Sequence, residues 1–299
     1  MTTQSHADAA RTLRGIGFMA TTIVIFSLMD AMAKYLSADY PTIFILWVRY
    51  VFQFLFMVAL FVRARTTSFV RTKRLPLQVG RALLNVASTF AFIFGLAFLP
   101  LADAVALNMV GPLFLTALSV PLLGEKVGIR RWSAVGVGFV GALIVIRPGM
   151  GVTHWAGSLM LLSALIYALY QIATRKLSST DPPMTTLFYT TMTGLTVTSV
   201  LIPFFWTDAP FDVWVLLAIQ GGMGTAAHLC LITALGHAPA STLAPFNYGT
   251  IVIATILGYL VFHQFPDQWT IAGAAVIIAS GLYVIHRETV RRRERQQDA

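Results

Sequence analysis

Charge is what this sequence has least of. Lys, Arg, Asp and Glu together make up 11% of its 299 residues, against roughly 25% in an ordinary soluble domain. Hydrophobic residues reach 57%. A bilayer span takes about 20 apolar residues, so ten spans would use most of the 299 and leave no room for a separate soluble domain. Cysteine is nearly absent as well. Cys230 stands alone within an apolar run, which excludes an internal disulfide and a thiolate metal cluster. No Walker A sequence occurs, so this chain contains no ATP motor. HExxH, GxSxG and closely spaced metal-binding histidines are missing too. The segment Gly136 to Gly141, GVGFVG, fits the GxGxxG pattern, but it lies inside an apolar run with no preceding strand and is read as close helix packing. No cofactor, no metal and no enzymatic activity are expected.

What is present is a series of long apolar runs, at roughly 15–36, 42–62, 79–98, 102–123, 132–147, 156–174, 184–205, 213–235, 240–262 and 269–286. Pro41, Pro100, the Gly124-Glu125-Lys126 turn, Pro148-Gly149, Pro182-Pro183, Pro210 and Pro266-Asp267 punctuate them. Backbone groups in hydrocarbon must be paired within a segment, so these runs predict helices. The polar start, Met1 to Arg14, has no small-residue cleavage site after a short apolar core, and the first run is therefore read as a retained span.

The net charge of +9 is arranged as a topology signal. With a cytoplasmic N-terminus, 17 of the 21 basic residues fall on the inner side, from Arg11 and Arg14 to the tail Arg287, Arg291, Arg292, Arg293 and Arg295. Lys34, Arg49, Arg81 and Arg147 are the other four, and the outer loops carry Asp39, Asp208, Asp212 and Asp267. The expected partners are accordingly the lipid bilayer and a small-molecule substrate, with no nucleic acid, for a monomer or homodimer.

The chain also repeats itself. A shift of 137 lays Ala97 on Ala234, Ala117 on Ala254, Leu123 on Leu260, Trp132 on Trp269 and Gly136 on Gly273; a shift of 141 lays Lys34 on Arg175, Leu36 on Leu177, Ser37 on Ser178, Pro41 on Pro182 and Leu46 on Leu187. Each half holds five spans, and an odd number makes the second half enter the membrane upside down. The fold class expected is an all-α, polytopic membrane protein of ten transmembrane helices in two inverted five-helix repeats, the arrangement of secondary transporters. Its organisation would be a cytoplasmic tail over 1–14, a first repeat over 15–147, an inverted second repeat over 156–286, and a basic cytoplasmic tail over 287–299.

The stretch from Pro100 to Gly149, PLADAVALNMVGPLFLTALSVPLLGEKVGIRRWSAVGVGFVGALIVIRPG, and its partner from Ala238 to Gly281 resemble the EamA-type drug/metabolite transporters across nearly the whole chain. The resemblance implies a bacterial inner-membrane carrier with a central cavity lined mainly by spans one, three, four, six, eight and nine. Within the family, FSLMDAMAKYL (Phe26 to Leu36) and the segment from Ala244 to Asp267 are similar to a branch that includes S-adenosylmethionine and riboflavin uptake carriers. Metabolite exporters of the same family are the alternative. The second half departs from the first where Phe262 and His263 stand in place of Glu125 and Lys126.

Ionisable groups at bilayer depth need a partner or a hydrated cavity. Asp30 and Lys34, four apart on span one, can pair along one helical face, with Arg49 within reach; this ionic cluster either gates the cavity or pins helices together. Arg81 can snorkel to the cytoplasmic surface or contact substrate. Asn85, Asn108, Gln171, His228 and Asn247 lie inside apolar runs and are candidate ligand groups or interhelical hydrogen bonders. His228 could also titrate near neutral pH. Phe92, Tyr167, Tyr170, Phe246 and Tyr248 are candidate aromatic walls for a flat or cationic ligand, or packing residues. Pro112 and Pro245 should loosen spans four and nine as a hinge pair.

Overall fold

The computed structural model describes residues 2–64, 70–124, 127–147, 153–177, 180–238 and 240–297, which form helices and turns without a strand. The elements are α1 (Thr2–Ser37), α2 (Thr42–Ala64), α3 (Leu75–Leu96), α4 (Leu101–Asn108), α5 (Gly111–Leu123), α6 (Ile129–Ile146), α7 (Thr153–Leu177), α8 (Pro183–Leu201), α9 (Phe211–His237), α10 (Ala240–Leu243), α11 (Gly249–Phe262) and α12 (Gln268–Gln297). Ten stretches among them are long and apolar enough to cross a bilayer. Glu125, Lys126 and the Pro148-Gly149 break lie outside the described residues.

Two features differ from the expected boundaries. The polar segments read as tails continue the first and last helices, with α1 starting at Thr2 and α12 reaching Gln297. Neither segment contains the Pro or Gly that would stop a helix. Spans four and nine are both interrupted: Met109 and Val110 separate α4 from α5 near mid-span, and a 3-10 turn over Ala244–Tyr248 separates α10 from α11 near the start of span nine. Pro112 lies in the first turn of α5 and Pro245 within the 3-10 turn. A proline has no amide hydrogen and its ring clashes with the preceding turn, so the two expected loosening points coincide with real interruptions.

The packing has a pseudo-two-fold pattern. Helix α1 packs on α9 as α7 packs on α3; α2 packs on α9 as α8 packs on α3; α1 packs on α11 as α7 packs on α5. The pairs α2 with α8, α6 with α12 and α4 with α11 join equivalent spans of the two halves. Exchange of odd-numbered halves by such an axis requires it to lie in the membrane plane, which is the inverted repeat expected from the sequence. Helices α6 and α12 cross backbone to backbone. A Cβ on Gly141 would come 2.9 Å from the Gly273 carbonyl oxygen, and one on Gly273 would come 2.6 Å from that of Gly141. Glycine thus permits this crossing, and the GVGFVG segment acts as close helix packing.

Lipid-facing stripes cover the outside, for example Val137, Val140 and Leu143 on α6 and Val252, Ile256 and Leu260 on α11. At the face opposite the chain termini, Tyr40, Phe44, Trp47, Trp206 and Trp214 form a chain of ring contacts, the composition of a membrane-interface anchor.

Candidate substrate cavity

Helix α3 shows where the bundle is hollow. Its lipid face is marked by Leu83, Phe90 and Phe94, and the opposite stripe runs Gln78, Arg81, Asn85, Phe92, Leu96. Gln78, Arg81 and Leu96 are fully buried, whereas Asn85 and Phe92 between them are only half-buried. A helical stripe that is sealed at both ends and open in the middle borders an internal space. Other helices agree. Tyr167 follows the buried Met160, Ser163 and Ala164 on the inner side of α7, yet it is 40% exposed. His228 follows the buried Gly221 and Gly224 on α9 and is half-buried. Phe26 and Asp30, one turn apart on α1, are also half-buried. The shift of 141 lays Phe26 on Tyr167 and Asp30 on Gln171, so both halves present an aromatic and a polar group at matched positions.

Charge enters this space from the first half. Arg81 is fully buried. Its guanidinium donates to Thr174 Oγ1 at 3.3 Å, to the Thr186 carbonyl oxygen at 2.7 Å and to Thr190 Oγ1, and it stacks over the Tyr170 ring at 4.9 Å. It therefore does not snorkel. An arginine at the bilayer centre costs about 2.5–3.5 kcal/mol on insertion scales. Each hydrogen bond to a charged group contributes about 1.5–3 kcal/mol, so three of them outweigh that cost without water. Arg49 is different. Its guanidinium rests against Tyr50 at 5.1 Å, and its Nε is buried without a hydrogen-bond partner. Asp30 lies within its electrostatic reach, but no ion pair forms between them.

The expected Asp30–Lys34 pair is not formed. Lys34 Nζ donates to the carbonyl oxygens of Leu96 at 3.1 Å and Leu99 at 2.5 Å, and lies 5.4 Å from the Phe262 ring centroid. The carbonyls at a helix C-terminus carry partial negative charge, and that end of α3 draws the ammonium away from Asp30. Asp103, buried at the start of α4, is the acid close to Lys34. Beside this cluster, Arg147 pairs with Asp267, which also accepts the backbone N–H groups of Trp269 and Thr270 as the N-cap of α12. Burial pushes the Asp267 carboxyl up, but the Thr270 N–H and Arg147 outweigh it and hold its pKa below the usual range.

The face bearing the termini is closed by another set. Asp181 accepts from Thr72 Oγ1 at 2.5 Å and Gln78 Nε2 at 2.7 Å, and Tyr189 Oη donates to the Val70 carbonyl at 2.8 Å. Desolvation raises the Asp181 pKa, yet these two donors, the Lys73 backbone and Arg74 lower it overall.

The remaining candidates divide. Asn108 Nδ2 reaches Ser163 Oγ at 3.5 Å, beside the Ser88–Ser163 bonds that join α3 to α7. Asn247 and Phe246 are exposed in the 3-10 turn. Both asparagines stand fifteen residues before their span's last helical residue, Leu123 or Phe262, so they match from the span ends although the shift of 137 lays Asn108 on Pro245. Tyr248 turns away from the centre; its hydroxyl fills the space over Gly281 on α12. Gln171 is half-buried. His228 Nδ1 is bonded to the Gly224 carbonyl at 2.8 Å, and its ring meets Phe26 edge-on at 5.7 Å. Tyr167 and Tyr170 stack at 5.4 Å and 26°. The sequence reading passed over the threonines of α8, the Gln53–Thr191 bond at 3.2 Å, the Gln220 bond to the Met29 carbonyl at 3.0 Å, and Asp103. Asp103, an acid within a predicted span, carried a signal, as did Gln53 and Gln220, amides inside apolar runs like Gln171; the threonines did not.

Known proteins fit this architecture. The chain is 28% identical over 283 residues to an S-adenosylmethionine uptake transporter of Rickettsia prowazekii (strain Madrid E), covering 94% of this chain and 96% of the relative. It is 30% identical over 288 residues to a riboflavin transporter of Vibrio cholerae serotype O1, covering 95% and 97%, and 28% identical over 260 residues to the pseudopaline exporter CntI of Pseudomonas aeruginosa, covering 85% and 90%. A chain of known crystal structure superposes with a TM-score of 0.65 at 17% identity, covering 93% of this chain and 97% of that one, and so shares the fold. The model of the EamA-like transporter family matches residues 13–147 and again 154–286. With both halves matched, the chain belongs to the EamA-like transporter family.

Proposed function

We propose that this protein is a secondary carrier that moves a small organic metabolite across the bacterial inner membrane by alternating access, with both termini in the cytoplasm. The observation that carries the reading is the half-exposed polar stripe at mid-depth, supplied by both halves and sealed above and below. A carrier needs a site between two closures that open in turn. The interruptions at Met109-Val110 and Ala244–Tyr248 give spans four and nine places to bend. Cofactor-like or aromatic compounds are the favoured substrates, with riboflavin and S-adenosylmethionine as the first to try, since relatives are named for them. The basic loops favour the stated orientation. Uptake is the first direction to test, and the exporter relative makes efflux the second reading.

The test is counterflow in proteoliposomes. Vesicles loaded with unlabelled compound should accumulate labelled compound transiently when purified protein is present. Absence of counterflow for every compound that binds would end the carrier reading. Labelling single cysteines placed in either tail from outside intact cells would overturn the orientation.

A further inference from the structure

We infer that the substrate carries an oxyanion, a carboxylate or phosphate, that docks on Arg49 while its planar part lies against Tyr167. The inference rests on the carrier reading and narrows its substrate class, favouring compounds with a carboxylate, as in S-adenosylmethionine, or a phosphate over riboflavin, which has neither. Two guanidinium groups act on the hollow region, Arg49 at its wall and Arg81 enclosed behind it, and Asp30 is the carboxylate within electrostatic reach of Arg49. Lys34 and Asp103 offset each other at the end of the bundle and leave this balance unchanged. One positive charge is therefore unmatched among the described residues of the hollow.

The two arginines are not equally free. Every bond made by Arg81 goes to a neutral group, and its side chain is wholly enclosed, so it contributes field rather than contact. Both arginines keep a buried Nε without an acceptor, but Arg49 is only half-buried, rests against Tyr50 and makes no ion pair with a described residue. A planar guanidinium with unused donors fits a carboxylate or phosphate in a two-pronged contact. Asp30 lies within electrostatic reach of Arg49 but forms no ion pair with it, which leaves the guanidinium open to an anionic ligand. The aromatic part follows from Tyr167. One side of its ring stacks on Tyr170, which carries Arg81 on its ring, and the tyrosine remains 40% exposed at the centre of the bundle.

Matched pairs test this. Thermal stabilisation of purified protein would be measured with indole-3-acetate against indole-3-acetamide, and with flavin mononucleotide against riboflavin. At least one anionic member should bind about tenfold or more tightly than its neutral partner, as expected for a charge-assisted contact. The pair that responds separates carboxylate from phosphate. Arg49→Gln should erase the preference, and Arg49→Lys should retain it in weaker form, which controls for a failure of Arg49→Gln to fold. Equal or tighter binding of the neutral members, a preference that survives Arg49→Gln, or no stabilisation by any anionic member overturns the inference. Neutral compounds that bind and show counterflow would sink the anion site but preserve the carrier; anion-selective binding without movement would do the reverse.

Discussion

The two ends of the hollow are closed by different chemistry. Towards the face bearing the termini, Arg81 is wholly buried and bonded to uncharged threonine and carbonyl oxygens, with Gln78 and Asp181 sealed behind it. Towards the other face, the closure uses half-buried Lys34 on carbonyls and the Arg147–Asp267 pair, whose side chains are 30% and 47% exposed. Exposed ion pairs contribute about 0–1 kcal/mol and are screened by salt, whereas breaking a buried charged network costs several times that. The second closure is therefore the easier one to open, and the Arg81 end holds the two halves in register.

The largest effect should come from Arg81. Arg81→Met removes three charged hydrogen bonds that tie α3 to α7 and α8, leaving Thr174 and Thr190 only the bonds to their own preceding turns. At about 1.5–3 kcal/mol for each charged hydrogen bond, counterflow should fall at least ~100-fold, with a lower melting temperature. Arg81→Lys should recover little, because a single ammonium cannot reproduce the planar fork. Rescue of wild-type rate by lysine would show that this end is held by charge alone, and the contrast between the ends would collapse.

Lys34 comes next and should act on conformation rather than fold. With Lys34→Met the ends of α1 and α3 lose their link, and the Phe262 contact is lost with it. In a background with Cys230→Ala, a cysteine placed at Phe92 should react about tenfold faster with a membrane-impermeant thiol reagent added from the face opposite the termini, equivalent to a shift of about 1.4 kcal/mol. An unchanged labelling rate would mean that the lysine closes nothing.

Acid should separate the ends further. Asp181 and Asp267 both have folded-state pKa values below the ordinary carboxylate range. A depressed folded pKa contributes stability that is present above the unfolded value, about 3.9 for Asp, and disappears as the pH falls through the folded value. Melting temperature in detergent should therefore decline below about pH 4. Asp267→Asn should flatten part of that decline, remove part of the salt sensitivity and leave Arg81-dependent stability intact. A decline of unchanged size in both Asp267→Asn and Asp181→Asn would assign the acid sensitivity elsewhere.

The sequence revealed the ten spans, the repeat and the broken helices because hydropathy, internal matching and proline chemistry are local properties. Pairings were harder to read. Asp30 and Lys34 have the spacing of an ion pair, but the C-terminal carbonyls of α3, more than sixty residues away, compete successfully for Lys34. Arg81 lies close enough to a helix end to snorkel, yet the threonines that satisfy it come from α7 and α8. A threonine in an apolar helix commonly bonds its own preceding turn, as Thr174 and Thr190 also do, so their second role is visible only when the helices meet. Tyr248 looked like its aromatic neighbours, and only Gly281 shows that it fills a gap on the far side.

The smallest expected effect asks whether the broken spans are equivalent. Asn108 and Asn247 hold matched places before the ends of their spans, but Asn108 touches Ser163 at 3.5 Å, at the long limit of a hydrogen bond, while Asn247 is exposed. An interhelical polar contact in a membrane averages about 0.6 kcal/mol, so Asn108→Ala should lower stability by that order and slow counterflow by about two- to threefold through looser packing of α4 on α7. Asn247→Ala should leave stability unchanged, because no packed partner loses a bond. If it nevertheless slows counterflow as much as Asn108→Ala does, its amide acts during the cycle, when the 3-10 turn rearranges and the second half takes up the contact that the first half makes here. Identical stability losses in the two variants would instead mean that the breaks in spans four and nine are packed alike, and the asymmetry between the two halves would have to come from their charges alone.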